Sequence, residues 1–501
     1  MHLDLILSMA ADVHGDRVAV GSADEGLTVA ELALGARRVG AALSRLGVDH
    51  VALIDLNSAA VPLTMFGAAV AGRPFVPINY RVTDDQLRRL VERIAPAAVV
   101  VGDGMAARLG AIDGIELIER DELLAIAADD AGDADPPEVD IDPDAIAVLL
   151  YTSGTTGEPK AAVLRHLHLG SYIVTTVELG GAAPDEAALV SVPPYHIAGI
   201  SAALSSLYGG RRVVYVESFD PDEWVRLARS ESITHAMVVP TMLNRILDVV
   251  AADDQGLPTL RTLSYGGGPM PLPVIERAMS LLPDTDFVNA YGLTETSSTI
   301  ALLGPDDHRV AFASTDPSVR ARLGSVGRPL PTLEVSVRDP LGDEVPVGTV
   351  GELWVRGEQV SGEYRGAEGP TPGDWFHTRD SVHLDDEGYL FVHGRLDDVI
   401  VRGGENLSPG EIESVLLQHD AVEEAAVVGI PDTEWGERVV AAVVTVPGGV
   451  VDEDELREHV RTQLRSTRTP ERIAVLEALP YNETGKLLRR TLRTELAATF
   501  T

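Results

Sequence analysis

The 501-residue chain contains no cysteine. That excludes disulfides, thiolate metal sites and any cysteine-linked acyl intermediate, so thiol chemistry would need a thiol from outside. The same absence fits a reducing compartment and points to the cytoplasm. Long apolar runs are also missing. None approaches the length of a membrane span, so no stable membrane insertion is expected. The opening stretch MHLDLILSMAADVHGD lacks a basic start and a cleavage site, and is not expected to act as a signal peptide. No segment recurs at a fixed period. Positive charge is scarce: the formal net charge is -37, which repels nucleic acid and anionic lipid. An anionic substrate must therefore be held by locally gathered cations and donors.

Length alone suggests about three structural units. Helical and strand patterns alternate through the first four-fifths of the chain. Leu27–Leu46 and Asp84–Ile94 have helical apolar spacing; Val51–Ile54 and Ala97–Val101 read as strands. This alternation predicts α/β layers with largely parallel sheets. Ala127–Asp142, rich in Asp, Ala and Pro, reads as a solvated linker. From Leu330 to Val392 the texture changes to short strand candidates, Glu334–Arg338, Glu352–Val355 and Tyr389–Val392, separated by turn residues. After Gly394–Asp398 a compact α+β pattern follows, with helices at Pro409–Leu417 and Glu453–Leu464 and a strand at Val422–Val428. The expected fold is α/β. A large N-terminal domain, residues 1–396, combines layered α/β subdomains with a β-rich subdomain at about 330–392. A small α+β domain occupies residues 397–501.

The segment Thr152-Ser153-Gly154-Thr155-Thr156-Gly157-Glu158-Pro159-Lys160 follows the apolar run Ala145–Tyr151. Its glycines let backbone N–H groups approach an anion, its hydroxyls add donors, and Lys160 adds a point charge. It is not a P-loop, because Lys160 does not directly follow the second glycine and no Ser or Thr follows the lysine. On chemistry alone it is either a phosphate-holding loop or a polar turn. Gly266-Gly267-Gly268, within Ser264–Met270, would allow close backbone approach to a ligand or would simply end a strand. Gly102-Asp103-Gly104 after Ala97–Val101 imitates a dinucleotide fingerprint and supports a rival dehydrogenase reading.

The Thr152–Lys160 loop resembles the phosphate loop of the adenylate-forming superfamily, which includes acyl-CoA synthetases, firefly luciferase and peptide-synthetase adenylation domains. The family usually has glycine after the lysine; this chain has Ala161. Further resemblances follow in the family's order and cover almost the whole chain. Asn289-Ala290-Tyr291-Gly292-Leu293-Thr294-Glu295 resembles the second signature, which implies an adenine against Tyr291, a phosphate bond from Thr294 and Mg²⁺ on Glu295. Trp375–Asp380 resembles the ribose motif, with Arg379 replacing the usual glycine and Asp380 as acceptor from the ribose hydroxyls. Gly394–Ile400 and Arg402–Glu413 imply nucleotide contact by Arg395, a hinge at Asp397 and a pantetheine-tunnel loop at Gly403-Gly404. Leu479–Lys486 resembles the C-terminal signature, which places Lys486 on the substrate carboxylate and the α-phosphate. Pro194-Tyr195-His196 resembles a motif of the acyl-pocket wall.

The resemblance implies an acyl-CoA synthetase of the fatty-acid–CoA ligase branch with a mobile C-terminal domain. It would use ATP, Mg²⁺ and coenzyme A to convert a carboxylic acid to acyl-AMP and then to a thioester. Lys486, Glu295, Thr152 and His196 are the expected catalytic residues, and a homodimer is compatible with this reading. The acyl pocket is expected between Tyr195–Tyr208, Val238–Thr241 and Gly266–Met270, whose small and apolar residues suit a fatty, aromatic or polycyclic acid. The alternatives are an enzyme that only adenylates and passes its product to a carrier protein, and a non-catalytic homologue. Arg211-Arg212 is a candidate acyl-delivery surface. Arg461, Arg465, Arg468, Arg472, Arg489, Arg490 and Arg493 are candidates to steer CoA phosphates or to form surface ion pairs.

Overall fold

The computed structural model describes residues 1–129, 142–152, 159–253, 255–367, 373–403, 405–433, 435–446, 448–464, 466–481 and 487–500. They build four sheets. The largest runs in the order Arg328–Pro329, Ser298–Leu303, Asp286–Leu293, Thr262–Gly266, His235–Val238, Ala187–Val190, Arg212–Tyr215, Val18–Val20, Leu27–Thr28. Its middle is parallel and its two ends are antiparallel. The second runs Ile115–Glu119, Ala97–Val101, His50–Ile54, Phe75–Pro77, Ile146–Thr152, Lys160–Arg165, and is parallel except for its last hairpin.

The helices Val29–Ser44 and Ala60–Val70 lie between these two sheets. One core links Val20 and Val213 of the first sheet to Val51, Leu53 and Val148 of the second through Leu32, Val39, Leu63 and Phe66. Ala60–Val70 is buried on every face, which is why it carries no polar stripe. Gly40 faces Val70 and Gly67 faces Val39 with no room for a Cβ at either position, so the two helices approach closely. Ala97–Val101 is apolar throughout because both faces of this parallel strand are covered. The helix read over Leu27–Leu46 starts later, at Val29, because Leu27–Thr28 pairs with Val18–Val20 and Thr28 forms a capping box with Glu31. Of the acidic linker, residues 127 and 128 end the helix Arg120–Ala128, and residues 130–141 lie outside the described residues.

The dinucleotide-like pattern has a packing explanation. A Cβ on Gly102 would run into the carboxylate of Asp55, which Arg120 holds at 3.1 Å while also pairing with Asp103 at 2.9 Å. The helix that follows is only Met105–Leu109. It offers no long helix N-terminus to a pyrophosphate, and the dehydrogenase reading falls.

The strands Glu334–Arg338, Gly351–Arg356, Phe376–Leu384 and Leu390–Arg395 form an antiparallel sheet with its own core. The 3₁₀ turn Leu396–Asp398 leads to a mixed sheet of Glu405–Leu407, Ile400–Arg402, Gly436–Thr445, Val422–Asp432 and Arg472–Val475. The helices Pro409–Leu416 and Glu453–Gln463 cover one face of this sheet, and Arg489–Phe500 covers the other. Among the described residues, no helix is long and apolar enough to cross a membrane.

The N-terminal helix Leu3–His14 docks through a buried histidine. The Leu3 amide donates to His166 Nδ1 at 3.2 Å, and the His2 ring stacks on it at 3.7 Å. An accepting Nδ1 must be unprotonated, and burial, followed by the neighbouring His2 and N-terminal charges, lowers the His166 pKa to about 3. The unfolded chain therefore binds a proton near pH 6.5 that the folded chain refuses, so this contribution is present above pH 6.5 and is lost as pH falls. Between pH 7 and pH 5 the guanidinium unfolding midpoint should drop, and His166→Asn, which keeps an acceptor without titrating, should lose about 2 kcal/mol less than the parent over that interval.

Candidate active site

Asp380 is the best-defined carboxylate. It lies opposite Arg395 in the pairing of Phe376–Leu384 with Leu390–Arg395. Arg395 Nη1 stands 3.1 Å from Asp380 Oδ1 and donates to the Thr378 carbonyl at 2.5 Å. Tyr291, on the strand Asp286–Leu293 of the largest sheet, donates its phenol to Asp380 Oδ2. Burial, reinforced by that carboxylate, pushes the Tyr291 phenol well above its ordinary value, so it remains a donor. A carboxylate has about four lone-pair sites and can accept from several donors at once; Tyr291 and Arg395 are two of the partners of Asp380. The residues expected at the adenine face and the ribose, Tyr291 and Asp380, are thus in contact, although they come from different sheets.

Arg379 sits in the left-handed region, with φ of 63°. The conformation that a glycine would take freely is kept with an arginine in its place. Its amide donates to Glu352 Oε1 at 3.2 Å, and its guanidinium pairs with Asp397 at 2.8 Å. This arginine therefore reaches the turn that joins the last two sheets.

Glu295 belongs to the 3₁₀ turn Thr294–Thr296, immediately after the strand bearing Tyr291. The turn is tightly fastened. Thr296 Oγ1 bonds within Leu293–Ser298, and the buried Gln359 amide donates to the carbonyls of Thr296 at 3.0 Å and Thr299 at 2.9 Å. Ser297 and Ser298 take φ of 56° and 124°, a strained exit that points to an over-determined site. The Glu295 carboxylate accepts from the Tyr364 phenol, and the Tyr364 ring carries Lys160 Nζ at 5.7 Å from its centroid. No group of three His, Asp or Glu side chains suited to a metal occurs among the described residues. One carboxylate fits a cation that brings its other oxygens with it, as magnesium does on a polyphosphate.

Lys160 pairs with Thr152 across the hairpin, where Thr152 Oγ1 donates to the Lys160 carbonyl at 3.4 Å. Ser153, Gly154, Thr155, Thr156 and Gly157 lie outside the described residues, as do Gly404 and Lys486. Gly266 ends its strand opposite Ala290, whose carbonyl leaves no space for a Cβ, and Gly267 takes φ of 78°. Gly268 follows in the same loop, at the carboxyl end of a parallel sheet where ligands bind in such folds. Gly292 is pressed against the Ser298 carbonyl at a bulge. Asn289 is directed inward: its amide donates to the Ser325 carbonyl at 3.0 Å. His196 caps the helix Ile197–Gly209 beside the Tyr195 ring at 4.7 Å. Gly403 follows the strand Ile400–Arg402, and its amide donates to the Trp435 carbonyl at 2.8 Å.

Among the described residues, both arginine-rich stretches are engaged in ion pairs. Arg211 pairs with Glu186 at 2.8 Å and Arg212 with Glu231 at 2.7 Å. In the C-terminal region Arg461, Arg468, Arg472, Arg489 and Arg493 all sit in ion pairs, and Arg465 lies outside the described residues. A cavity of about 280 Å³ touches Val239 and Thr241 of the expected acyl pocket, but Arg81, Glu217, Arg245 and Glu424 also line it, so it is more polar than expected. Tyr364 was missed because nothing in its own spacing marks it. A compositional signal was available for Lys160 and Lys486. They are the only two lysines among 40 basic residues, and a flexible ammonium suits phosphate where a fixed guanidinium fork does not.

The model of the AMP-binding enzyme family matches residues 7–365, and that of the AMP-binding enzyme C-terminal domain matches residues 411–486. The chain belongs to the AMP-binding enzymes. Within this adenylate-forming superfamily it falls in the branch of AMP-forming acid–thiol ligases. It is 33% identical over 484 residues to the fatty acid–[acyl-carrier-protein] ligase ScoC of Streptomyces coeruleorubidus, covering 93% of this chain and 91% of that protein. It is 33% identical over 477 residues to the feruloyl-CoA synthase of an Amycolatopsis species, with 93% of each covered. Its structure superposes on o-succinylbenzoate CoA synthetase from Bacillus subtilis, in complex with the acyl-adenylate intermediate, with a TM-score of 0.83 at 28% identity over 97% of each chain.

The strain at Arg379 has a direct test. Arg379→Gly relieves the backbone but loses an exposed ion pair, and should shift the unfolding free energy by less than about 1 kcal/mol. Arg379→Val, β-branched at positive φ, should cost about 2 kcal/mol in the same denaturation measurement.

Proposed function

We propose that this AMP-binding enzyme joins a hydrophobic carboxylic acid to ATP, releasing pyrophosphate, and then transfers the acyl group from acyl-AMP to the thiol of coenzyme A. The observation that carries the reading is the convergence of Tyr291, Asp380 and Arg395 one turn away from Glu295. A carboxylate held by a phenol and a guanidinium, near a single hard carboxylate, is the layout expected for a nucleotide with a bound cation, and this supports the reading. Asp380 takes the ribose, with Tyr291 and Arg395 holding its carboxylate in place. Thr152 and Lys160, with the loop between them, take the β- and γ-phosphates. Glu295 would hold Mg²⁺, which supplies charge neutralisation on the phosphates when bound.

Both reactants at the first step are anions, so positive charge and donors at the α-phosphate dominate the barrier. Lys486 has that task in this reading. Having no cysteine, the chain has no thiol of its own, which favours an external thiol acceptor. Asp397 is the proposed pivot that brings Gly403-Gly404 to the site for the second step, and His196 stands at the acyl-pocket wall. A carrier-protein acceptor is the second reading, favoured by the likeness to a fatty acid–carrier-protein ligase.

Carboxylate-dependent ATP–pyrophosphate exchange, screened over fatty and aromatic acids, tests the first step. Lys486→Ala should lower it by about 10²-fold or more; unchanged exchange overturns the assignment. Asp397→Pro should retain exchange yet slow thioester formation, read by mass spectrometry with CoA and with a carrier protein. Product only on the carrier would favour the second reading.

A further inference from the structure

Tyr364 sits between the two phosphate-directed elements and has no role in the scheme above. Its phenol donates to Glu295 Oε1, and Lys160 Nζ lies over its ring. The main chain around it is stitched to both neighbours. Tyr364 bridges Ala162, the Arg365 amide donates to the Ala161 carbonyl at 2.8 Å, and the Val163 amide donates to the Glu363 carbonyl at 2.9 Å. Glu363 in turn pairs with Arg165 at 2.8 Å. On the other side the amides of Ser361 and Gly362 donate to the Glu295 carbonyl at 2.8 and 3.1 Å. The segment Ser361–Arg365 therefore fixes the strand that leaves the phosphate loop against the turn that carries Glu295.

The chemical consequence lies in the carboxylate. Glu295 Oε1 accepts from a phenol, and among the described residues no hydrogen bond engages Oε2. A carboxylate limited to one oxygen suits Mg²⁺, which wants octahedral oxygens at short distance and keeps several waters. A carboxylate free to use both oxygens suits Ca²⁺, which accepts bidentate ligands and more of them. We propose that Tyr364 is a positioning residue that holds Glu295 to one-oxygen coordination and so makes nucleotide binding selective for magnesium over calcium. This rests on the assignment of Glu295 as the cation ligand of ATP.

The readout is binding, not turnover. Calorimetric titration of the full chain with ATP in Mg²⁺ and in Ca²⁺ gives a ratio of affinities. Tyr364→Phe removes one hydroxyl and keeps the ring under Lys160. It should narrow that ratio by about fivefold or more, chiefly by strengthening CaATP binding. A loss of stability or a general weakening would scale both affinities alike and leave the ratio where it was. An unchanged ratio in Tyr364→Phe, with the parent binding MgATP normally, overturns the role of Tyr364 alone. Failure of the parent to bind MgATP overturns the nucleotide reading, and this proposal falls with it.

Discussion

The carboxylate of Asp380 is the interaction on which the arrangement of the site depends. It is 5% exposed, and a buried anion without partners costs several kcal/mol or neutralises itself. Here the compensation comes from two directions. Arg395 is the cross-strand neighbour within the same antiparallel sheet, and Tyr291 reaches over from the largest α/β sheet. The bond that makes the charge tolerable therefore also joins the β-rich sheet to the strand Asp286–Leu293 of the largest sheet. Because Tyr291 and Glu295 lie on one strand and the turn that ends it, fixing Asp380 also fixes its spacing from Glu295, the two carboxylates that the proposed reading assigns to the ribose and the cation.

The same economy governs positive charge. In a chain with a formal net charge of -37, arginines are absorbed by neighbouring carboxylates, as at Arg211, Arg212 and Arg489. Arg489 shows how complete this is: it bonds both oxygens of Glu413, accepts no further role as a solvent-facing cation, and donates to the Val427 carbonyl at 2.8 Å. Anion binding is then left to cations that the fold does not use structurally. Lys160 fits that description, since its ammonium rests on an aromatic face and, among the described residues, has no carboxylate in salt-bridge range. A cation–π contact of about 0.5–1 kcal/mol at an exposed site is weak enough to yield to a phosphate.

Much of this was legible in the sequence where a local rule acts. Buried parallel strands such as Ala97–Val101 announce themselves because both faces are apolar, and Thr28 with Glu31 marks a helix start by its capping chemistry. The site residues Tyr291, Glu295, Asp380 and Arg395 were found through ordered motifs, each of which is ambiguous alone. What escaped was whatever depends on partners distant in sequence. Tyr364 and Glu295 are 69 residues apart, and Gly102 is explained only by Asp55 across a sheet. The arginine clusters stayed open for the same reason: spacing shows a cluster of positive charge but not the acids that pair with it. Arg379 is the intermediate case. Its departure from glycine was visible, while the retained left-handed backbone and the bond to Asp397 needed three dimensions.

That bond bears on the swivel proposed at Asp397. The turn Leu396–Asp398 is held on one side by Arg379 on Asp397 and on the other by Arg489, whose Nε lies 3.5 Å from Asp398. One arginine belongs to the β-rich sheet and the other to the helix Arg489–Phe500. The Arg379 pair is largely exposed, at 56% and 44%, and exposed pairs contribute about 0–1 kcal/mol. Arg489 is anchored far more firmly, through Glu413 and a main-chain carbonyl, to the body of the C-terminal sheet. A swivel at this turn would therefore break the weak side and keep the strong one, so that Asp398 travels with the C-terminal sheet while Asp397 is released from Arg379.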